Sequence, residues 1–519
     1  MPFALDLRLG IDVGGTHTDA VVLDRENNLI AKTKQPTSSD VTTGIRDAIA
    51  DVVAQAGVAT SRISHVMLGT THATNAVLER RRLHAVAVLR VGAPSSTAVE
   101  PLFGWPADLV AAVGGRTRIV RGGSEYDGRE VVPFDADTTR EFFESVRGDV
   151  DAVAISAVFS PTSPVHELAA ADIAREVLGP DVIISLSHEI GSLGLLPREN
   201  ATVLNAALAG VAAEVAAALT TALEEHEIDA SVLFAQNDGT LMALDYAVRF
   251  PILTIGSGPA NSIRGAAFLT GLSDALVADV GGTSTDFGML VNGFPRESAA
   301  NVDIGGVSTN FRMPDVLAIA LGGGTVIRDT VEGITVGPDS VGYRLPQAGL
   351  VFGGDTATLT DAAVQAGRAQ IGTTPVAGHD ASLATALDVS DAMIADAVDR
   401  MKPAKADIPM IVVGGGSVLI PDTIAGVSKV LRPDHYDVAN AIGAAIAQIS
   451  GRWDEVVSVA ANRTEAIAAI KERATTRAIQ AGADPELVEI VEISEVPLAY
   501  LTEAVSQISV KAVGPVGRL

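Results

Sequence analysis

A sixteen-residue segment that occurs twice constrains the fold more than any other feature of the chain. Leu9–Asp24 reads LGIDVGGTHTDAVVLD and Leu276–Val291 reads LVADVGGTSTDFGMLV. Nine of the sixteen aligned positions are identical, in one register and without a gap. From Asp12 to Asp279 the copies lie 267 residues apart. Solenoid repeats recur every 20–50 residues, so this spacing predicts two related lobes instead. The length of 519 residues agrees, because one core rarely supports more than about 300.

Each copy has the same layout. An apolar strand ends in Asp, a Gly-Gly turn and Thr-x-Thr-Asp follow, and a second apolar strand closes a β-hairpin. Glycines let a ligand approach bare backbone, and consecutive amides form an anion-binding concavity. Gly14, Gly15, Gly281 and Gly282 therefore suit a phosphate cradle, with Thr16 and Thr283 as hydroxyl donors. Asp12 and Asp279 would repel phosphate unless a cation stood between. Mg²⁺ held mostly through water meets that need, since it takes only one or two protein carboxylates. A tight turn explains one such copy; the same Asp and Thr twice point to chemistry, with Asp12 and Asp279 as candidate catalytic groups. Asp19 and Asp286 follow at equal spacing and are expected to tie each hairpin together. A third cluster, IVVGGGS, places Gly414, Gly415 and Gly416 after a buried-type strand, as a platform for a nucleotide base and ribose.

Composition narrows the partners. Lys and Arg number 37 against 63 Asp and Glu, a net charge of −26. That argues against a nucleic-acid surface and against anionic lipid. With no cysteine, disulfides, thiolate zinc sites and a Cys nucleophile are excluded. Met1–Leu9 has no signal-peptide core, and the longer charge-free stretches fall short of the roughly 20 residues that span a bilayer. A cytoplasmic protein is expected.

Other polar groups carry weaker signals. His72 lies in GTTHATN after the apolar run Val66–Leu68, a usual place for a functional group in an α/β sheet. It is expected to bind a substrate carbonyl or shuttle a proton, with Thr71 and Asn75 beside it; capping of the next helix is compatible with that. His166 and Glu167 are expected on the surface near a helix cap. They and His188 with Glu189 lack the i, i+4 spacing of a metal site. Asn237-Asp238-Gly239 reads as a turn after the strand Ser231–Ala235.

Two phosphate hairpins, a later Gly-Gly-Gly turn and the small-residue helix Val438–Ser450 resemble the ATPase superfamily of actin, sugar kinases and heat-shock chaperones. Within it the chain is similar to the hydantoinase A / oxoprolinase family. The resemblance rests on GTTHATNAVLERR (Gly69–Arg81), FSPTSPVHE (Phe159–Glu167), SHEIGSLGLLPRENATVLNAAL (Ser187–Leu208), GSGPANS (Gly256–Ser262) and DVGGTSTDFG (Asp279–Gly288). It implies ATP with Mg²⁺ in an interlobe cleft and activation of a cyclic amide or ureide of hydantoin, oxoproline or lactam type. It also implies a partner subunit of hydantoinase B type; a homo-oligomer is a further possibility. A small-molecule kinase and an ATP-switched assembly protein of the same fold stay open as alternatives.

The expected architecture is α/β: a two-lobed actin-like ATPase of ribonuclease-H-like lobes, with an insertion and a C-terminal α+β tail. The first lobe is expected over 1–197 with its insertion, covering the cleft, at about 91–132. A connecting helix over 198–226 precedes a second lobe over 227–436. A second connecting helix over 437–452 and the tail over 453–519 complete the chain.

Overall fold

The computed structural model describes residues 7–36, 41–191, 193–298, 302–311, 313–331, 333–376, 378–459, 462–498 and 504–517. Residues 1–6, on which the expectation of no leader bears, and Ser192 of the SHEIGSLG segment lie outside them.

In the first lobe, β1 (Leu7–Val13), β2 (His17–Leu23) and β3 (Leu29–Pro36) form an antiparallel meander. The helix Val41–Ala56 leads to β4 (Ile63–Thr70), parallel to β1. Leu9, Ile11 and Val22 share one core with Ile45, Ile49 and Val66.

The chain then leaves this sheet. β5 (Val86–Ala93), β6 (Arg116–Arg121), β7 (Ala152–Ala157) and β8 (Ile183–Leu186) build a separate parallel sheet, ordered β6-β5-β7-β8. Runs such as AVAISA suit strands covered on both faces. One expectation changes here. The stretch 91–132 is not a cover: it supplies β6, and its Leu102, Trp105 and Leu109 pack on the helix Leu195–Glu225.

That helix was expected to connect the lobes and does not. Val203, Leu204 and Leu208 of its first half face the β5–β7 layer, while Val215, Leu219 and Leu223 face β1 and β4. Length and composition alone would let it cross a bilayer, yet 61% of its most apolar window is buried inside the protein. The chain next returns to the first sheet with β9 (Ser231–Ala235), parallel to β4, and β10 (Leu241–Ala243). A second-lobe boundary at 227 is therefore wrong, because the free edge of β4 takes up β9.

The second lobe starts with the helix Ser257–Thr270. β11 (Ala275–Val280), β12 (Thr285–Val291) and β13 (Phe294–Pro295) repeat the meander. The hairpin β14 (Val302–Ile304) with β15 (Val307–Thr309) follows, then β16 (Val316–Ile319), which pairs with β12. A second hairpin, β17 (Thr325–Thr330) with β18 (Gly333–Ser340), precedes the helix Asp380–Met401. β19 (Ile408–Val413) runs parallel to β11, and β20 (Val427–Leu431) runs parallel to β19. The order β13-β12-β11-β19-β20 matches β3-β2-β1-β4-β9 in sequence and direction. Both lobes are thus ribonuclease-H-like, and the molecule has the two-lobed actin-like fold.

The helices that cross between the lobes are Ser257–Thr270 and Ala439–Ile446. They touch backbone to backbone: a Cβ on Gly443 would collide with the Asn261 carbonyl, and one on Gly10 of β1 would collide with that of Ala441.

The tail lengthens the first sheet instead of standing apart. β21 (Ile449–Ser458) pairs with β10, and β22 (Glu489–Pro497) and β23 (Val505–Gly514) complete nine strands. Its cations reach both lobes. Lys511 Nζ is 2.7 Å from Asp238 in the turn before β10 and 3.6 Å from Glu297 beyond β13. Arg452 binds Glu297 at 2.9 Å. Asp238, one of the turn residues read from sequence, is thereby a half-buried ion-pair partner.

Candidate active site

The two repeated hairpins fold alike. Asp12 faces Asp19 across the first and Asp279 faces Asp286 across the second, in the same register. Gly14 N–H donates to the His17 carbonyl at 3.0 Å, and Gly281 N–H donates to that of Ser284 at 2.9 Å. The turns meet across the lobes: the Thr16 methyl is 4.0 Å from the position a Cβ on Gly282 would occupy.

Further glycine turns press on the second hairpin. Gly323 and Gly324 donate N–H groups to the carbonyls of Gly281 and Gly282 at 3.0 and 2.7 Å, and Gly416 donates to that of Val280 at 2.8 Å. Gly414 has φ +85°, and a side chain there would strike the Asp279 carboxylate. Only glycine combines that conformation with that contact. Gly15 and Gly415 are exposed, and Gly15 has open space where a side chain would stand. Thr283 is exposed as well and Thr16 and Gly282 are half-buried, so the two turns meet at the surface between the lobes.

Four carboxylates from the two lobes converge behind these turns. Burial, with Asp19 and Asp279 nearby, pushes Asp12 up to about 7. Asp19 rises to about 6 through burial, against the pull of Lys34, whose Nζ is 2.8 Å from both of its oxygens. Burial also raises Asp279, opposed by a 2.5 Å hydrogen bond from Ser262 and by Lys34. Asp286 rises to about 7 through burial and Asp279.

Asp12 lies where the crossing helices meet β1. Asn440 Nδ2 donates to its Oδ2 at 3.3 Å. Its Oδ1 and both polar atoms of the Asn261 amide are buried with no hydrogen-bond partner. Such orphans are costly, so a missing polar group is implied. Among the described residues no three His, Asp or Glu side chains form a metal cage. A hydrated Mg²⁺ on one or two carboxylates, together with phosphate oxygens, fits this hard-oxygen donor set.

The other predicted residues divide. Thr71 lies against the hairpin, its Oγ1 donating to the Val13 carbonyl at 3.3 Å, and Asn75 Nδ2 donates to Thr71 at 3.4 Å. His72 does not join the carboxylates. It bonds Thr70 Oγ1 at 2.6 Å and lines an apolar pocket of Val211, Val215, Phe234 and Ala247, with room for about one water. Burial lowers its pKa. His166 and Glu167 are buried, not at the surface. His166 Nδ1 accepts from Gly123 N–H at 2.9 Å, and its Nε2 is 3.0 Å from Glu130. Glu167 resists its burial through hydrogen bonds from His188 and Ser187 and the charge of Arg198, which hold it below the usual range. That network joins β7, β8 and the long helix at a distance from the hairpins in the chain.

With the repeat geometry in place, the comparison with known families is decisive. Family models described as the hydantoinase/oxoprolinase N-terminal region and hydantoinase/oxoprolinase match residues 8–178 and 198–383. The chain belongs to the hydantoinase/oxoprolinase family. Its relatives include the caprolactamase subunit alpha of Pseudomonas jessenii, 28% identical over 68% of this chain and 53% of the relative. The acetone carboxylase beta subunit of Xanthobacter autotrophicus is 24% identical, again over 68% and 53%. The chain thus spans about half the length of the curated relatives it matches. The solved ATP-dependent caprolactamase from Pseudomonas jessenii superposes with a TM-score of 0.79 at 20% identity, over 99% of this chain and 89% of that one, which shows the shared fold.

Four residues of the candidate site were not singled out from the sequence. Lys34 was hidden because its value lies in register: it pairs with Asp19 on the neighbouring strand. Asn261 and Ser262 end the GSGPANS segment and Asn440 lies in the second small-residue helix, where the polar side chains among small residues were the available signal.

Proposed function

We propose that the chain is the ATP-dependent subunit of a cytoplasmic enzyme that activates a cyclic amide or ureide by phosphorylating its carbonyl oxygen. Hydantoin, oxoproline and lactam rings are the substrate class. A hydantoinase-B-type partner completes the ring opening. The observation that carries this reading is the buried, unbonded Asp12 Oδ1 at the point where two equivalent glycine hairpins touch. Membership in the family and the subunit names of its relatives support it.

The residues divide the work. Amides of Gly15 and Gly282 hold the phosphates, and Thr16 and Thr283 donate hydroxyls to them; Gly14 and Gly281, whose N–H groups close the two hairpin turns, keep the backbone there bare. Asp12 and Asp279 hold hydrated Mg²⁺, with Asn440 orienting Asp12. Gly414, Gly415 and Gly416 carry base and ribose. Thr71 and Asn75 face the substrate, and His72 supports them from behind Thr70. Mg²⁺ with ATP supplies the phosphoryl group and its charge neutralisation, a reaction governed by positioning and electrostatics.

The test is ADP release measured across hydantoins, lactams and oxoproline, with and without the B-type partner. Substrate-stimulated release that needs the partner for ring opening is expected. Accumulation of a stable phosphorylated product without any partner would instead make the chain a small-molecule kinase.

A further inference from the structure

The cleft gathers four carboxylates, and one cation acts on both hairpins. Lys34 opposes the burial of Asp19 in the first hairpin and that of Asp279 in the second. Its ammonium lies 2.8 Å from each Asp19 oxygen and 3.2 Å from the Asp437 carbonyl, just before the second crossing helix. Its Cε is 3.9 Å from the position of a Cβ on Gly415, the exposed glycine of the third turn. One side chain therefore touches the first hairpin, the crossing segment and the second lobe. Lys32, two residues earlier on β3, does not share this role; it is paired with the Asp437 carboxylate at 2.6 Å.

We infer that Lys34 is a phosphate-positioning residue that leaves Asp19 for the polyphosphate chain of the nucleotide when the cleft fills. This rests on the nucleotide reading above. Three observations support the exchange. The side chain is 31% exposed, so the ammonium is within reach of the cleft. A lysine ammonium is a point charge on a flexible stem and can change partners by rotation. A polyphosphate offers more negative charge than the single carboxylate it replaces, and a charge-assisted hydrogen bond is among the stronger ones. Released from Lys34, Asp19 stands beside Asp12 with its charge available to the hydrated cation. The lysine would thus guard the acidic cleft while it is empty and join the lobes through the ligand when it is full.

The test is calorimetry on the full chain with Mg-ATP, Mg-ADP and adenosine, for the wild type, Lys34→Gln and Lys34→Arg. Lys34→Gln should weaken Mg-ATP and Mg-ADP by about tenfold or more, the size of one charge-assisted hydrogen bond. Adenosine affinity should stay within about twofold, and Lys34→Arg should recover most of the loss. Salt should weaken Mg-ATP binding less steeply in Lys34→Gln than in the wild type. An equal fall for adenosine and Mg-ATP would show a merely structural pair with Asp19 and overturn the inference. So would unchanged Mg-ATP affinity in a folded Lys34→Gln. A wild type that binds none of the three ligands would instead remove the nucleotide reading itself.

Discussion

The two hairpins share nine of sixteen residues and one register, yet they live in different surroundings. The second is packed between the Gly322–Gly324 and Gly414–Gly416 turns, and Ser262 holds its Asp279. The first is open at Gly15, keeps an unbonded oxygen on Asp12 and carries a lysine on Asp19. One sequence has thus been used twice, as a closely packed floor in the second lobe and as a more open wall in the first. Repetition fixes the backbone; the neighbours decide what each copy does.

The sharpest way to break this comparison is to remove one carboxylate from each side. Asp12→Asn should lower ATP turnover by at least about a hundredfold, the usual loss of a key electrostatic group. Asp279→Asn should do likewise; near-normal turnover in both would dismiss a shared cation. Next in size is a pair of glycine variants. Gly414→Ala should cost about 1–3 kcal/mol of stability or abolish folding, because it adds left-handed strain to a clash with Asp279. Gly15→Ala should leave thermal unfolding within about 0.5 kcal/mol, since nothing lies within 4 Å of its Cβ position. Equal melting temperatures for these two variants would erase the floor-and-wall distinction.

A smaller effect appears in pH dependence. Burial raises the folded-state pKa of Asp12 to about 7, while an unfolded Asp titrates near about 3.9. Between those values the folded state binds more protons, so ligand-free stability falls as pH climbs from about 4 to 7. Asp12→Asn should flatten that fall and raise the melting temperature at pH 8, by roughly 1 °C per kcal/mol relieved for a chain of this length. A melting curve that drops with pH as steeply as the wild type's would count against it. Smallest of all, His72→Gln should reduce turnover less than about tenfold, as expected for a group outside the carboxylate cluster. A loss as large as that of Asp12→Asn would return His72 to the reacting centre.

Much of this was legible in the sequence because the repeat encodes its own topology. Strand, turn and strand around Asp12 and Asp279 follow from alternating apolar runs and paired glycines. The partner of a strand is not encoded that way. Ser231–Ala235 reads as a strand in either lobe, and only the free edge of β4 decides that it joins the first. Ala85–Val91 likewise carries a strand's composition without saying that it opens a new parallel sheet. Glu167 looked like a surface acid because its counterparts, Ser187, His188 and Arg198, lie more than twenty residues away or on another element. The orphaned Asp12 oxygen depends on three separate segments meeting, which no local pattern records.

Asp238 belongs to the first lobe and Glu297 to the second, and both rely on Lys511 and Arg452 for their compensating charge. Trimming the chain to the two family-matched regions would strand a pair of half-buried acids and bare the flank of β10. The strands β21 to β23 therefore brace the first lobe through the sheet and both lobes through charge, and this brace lies outside the two family-matched regions.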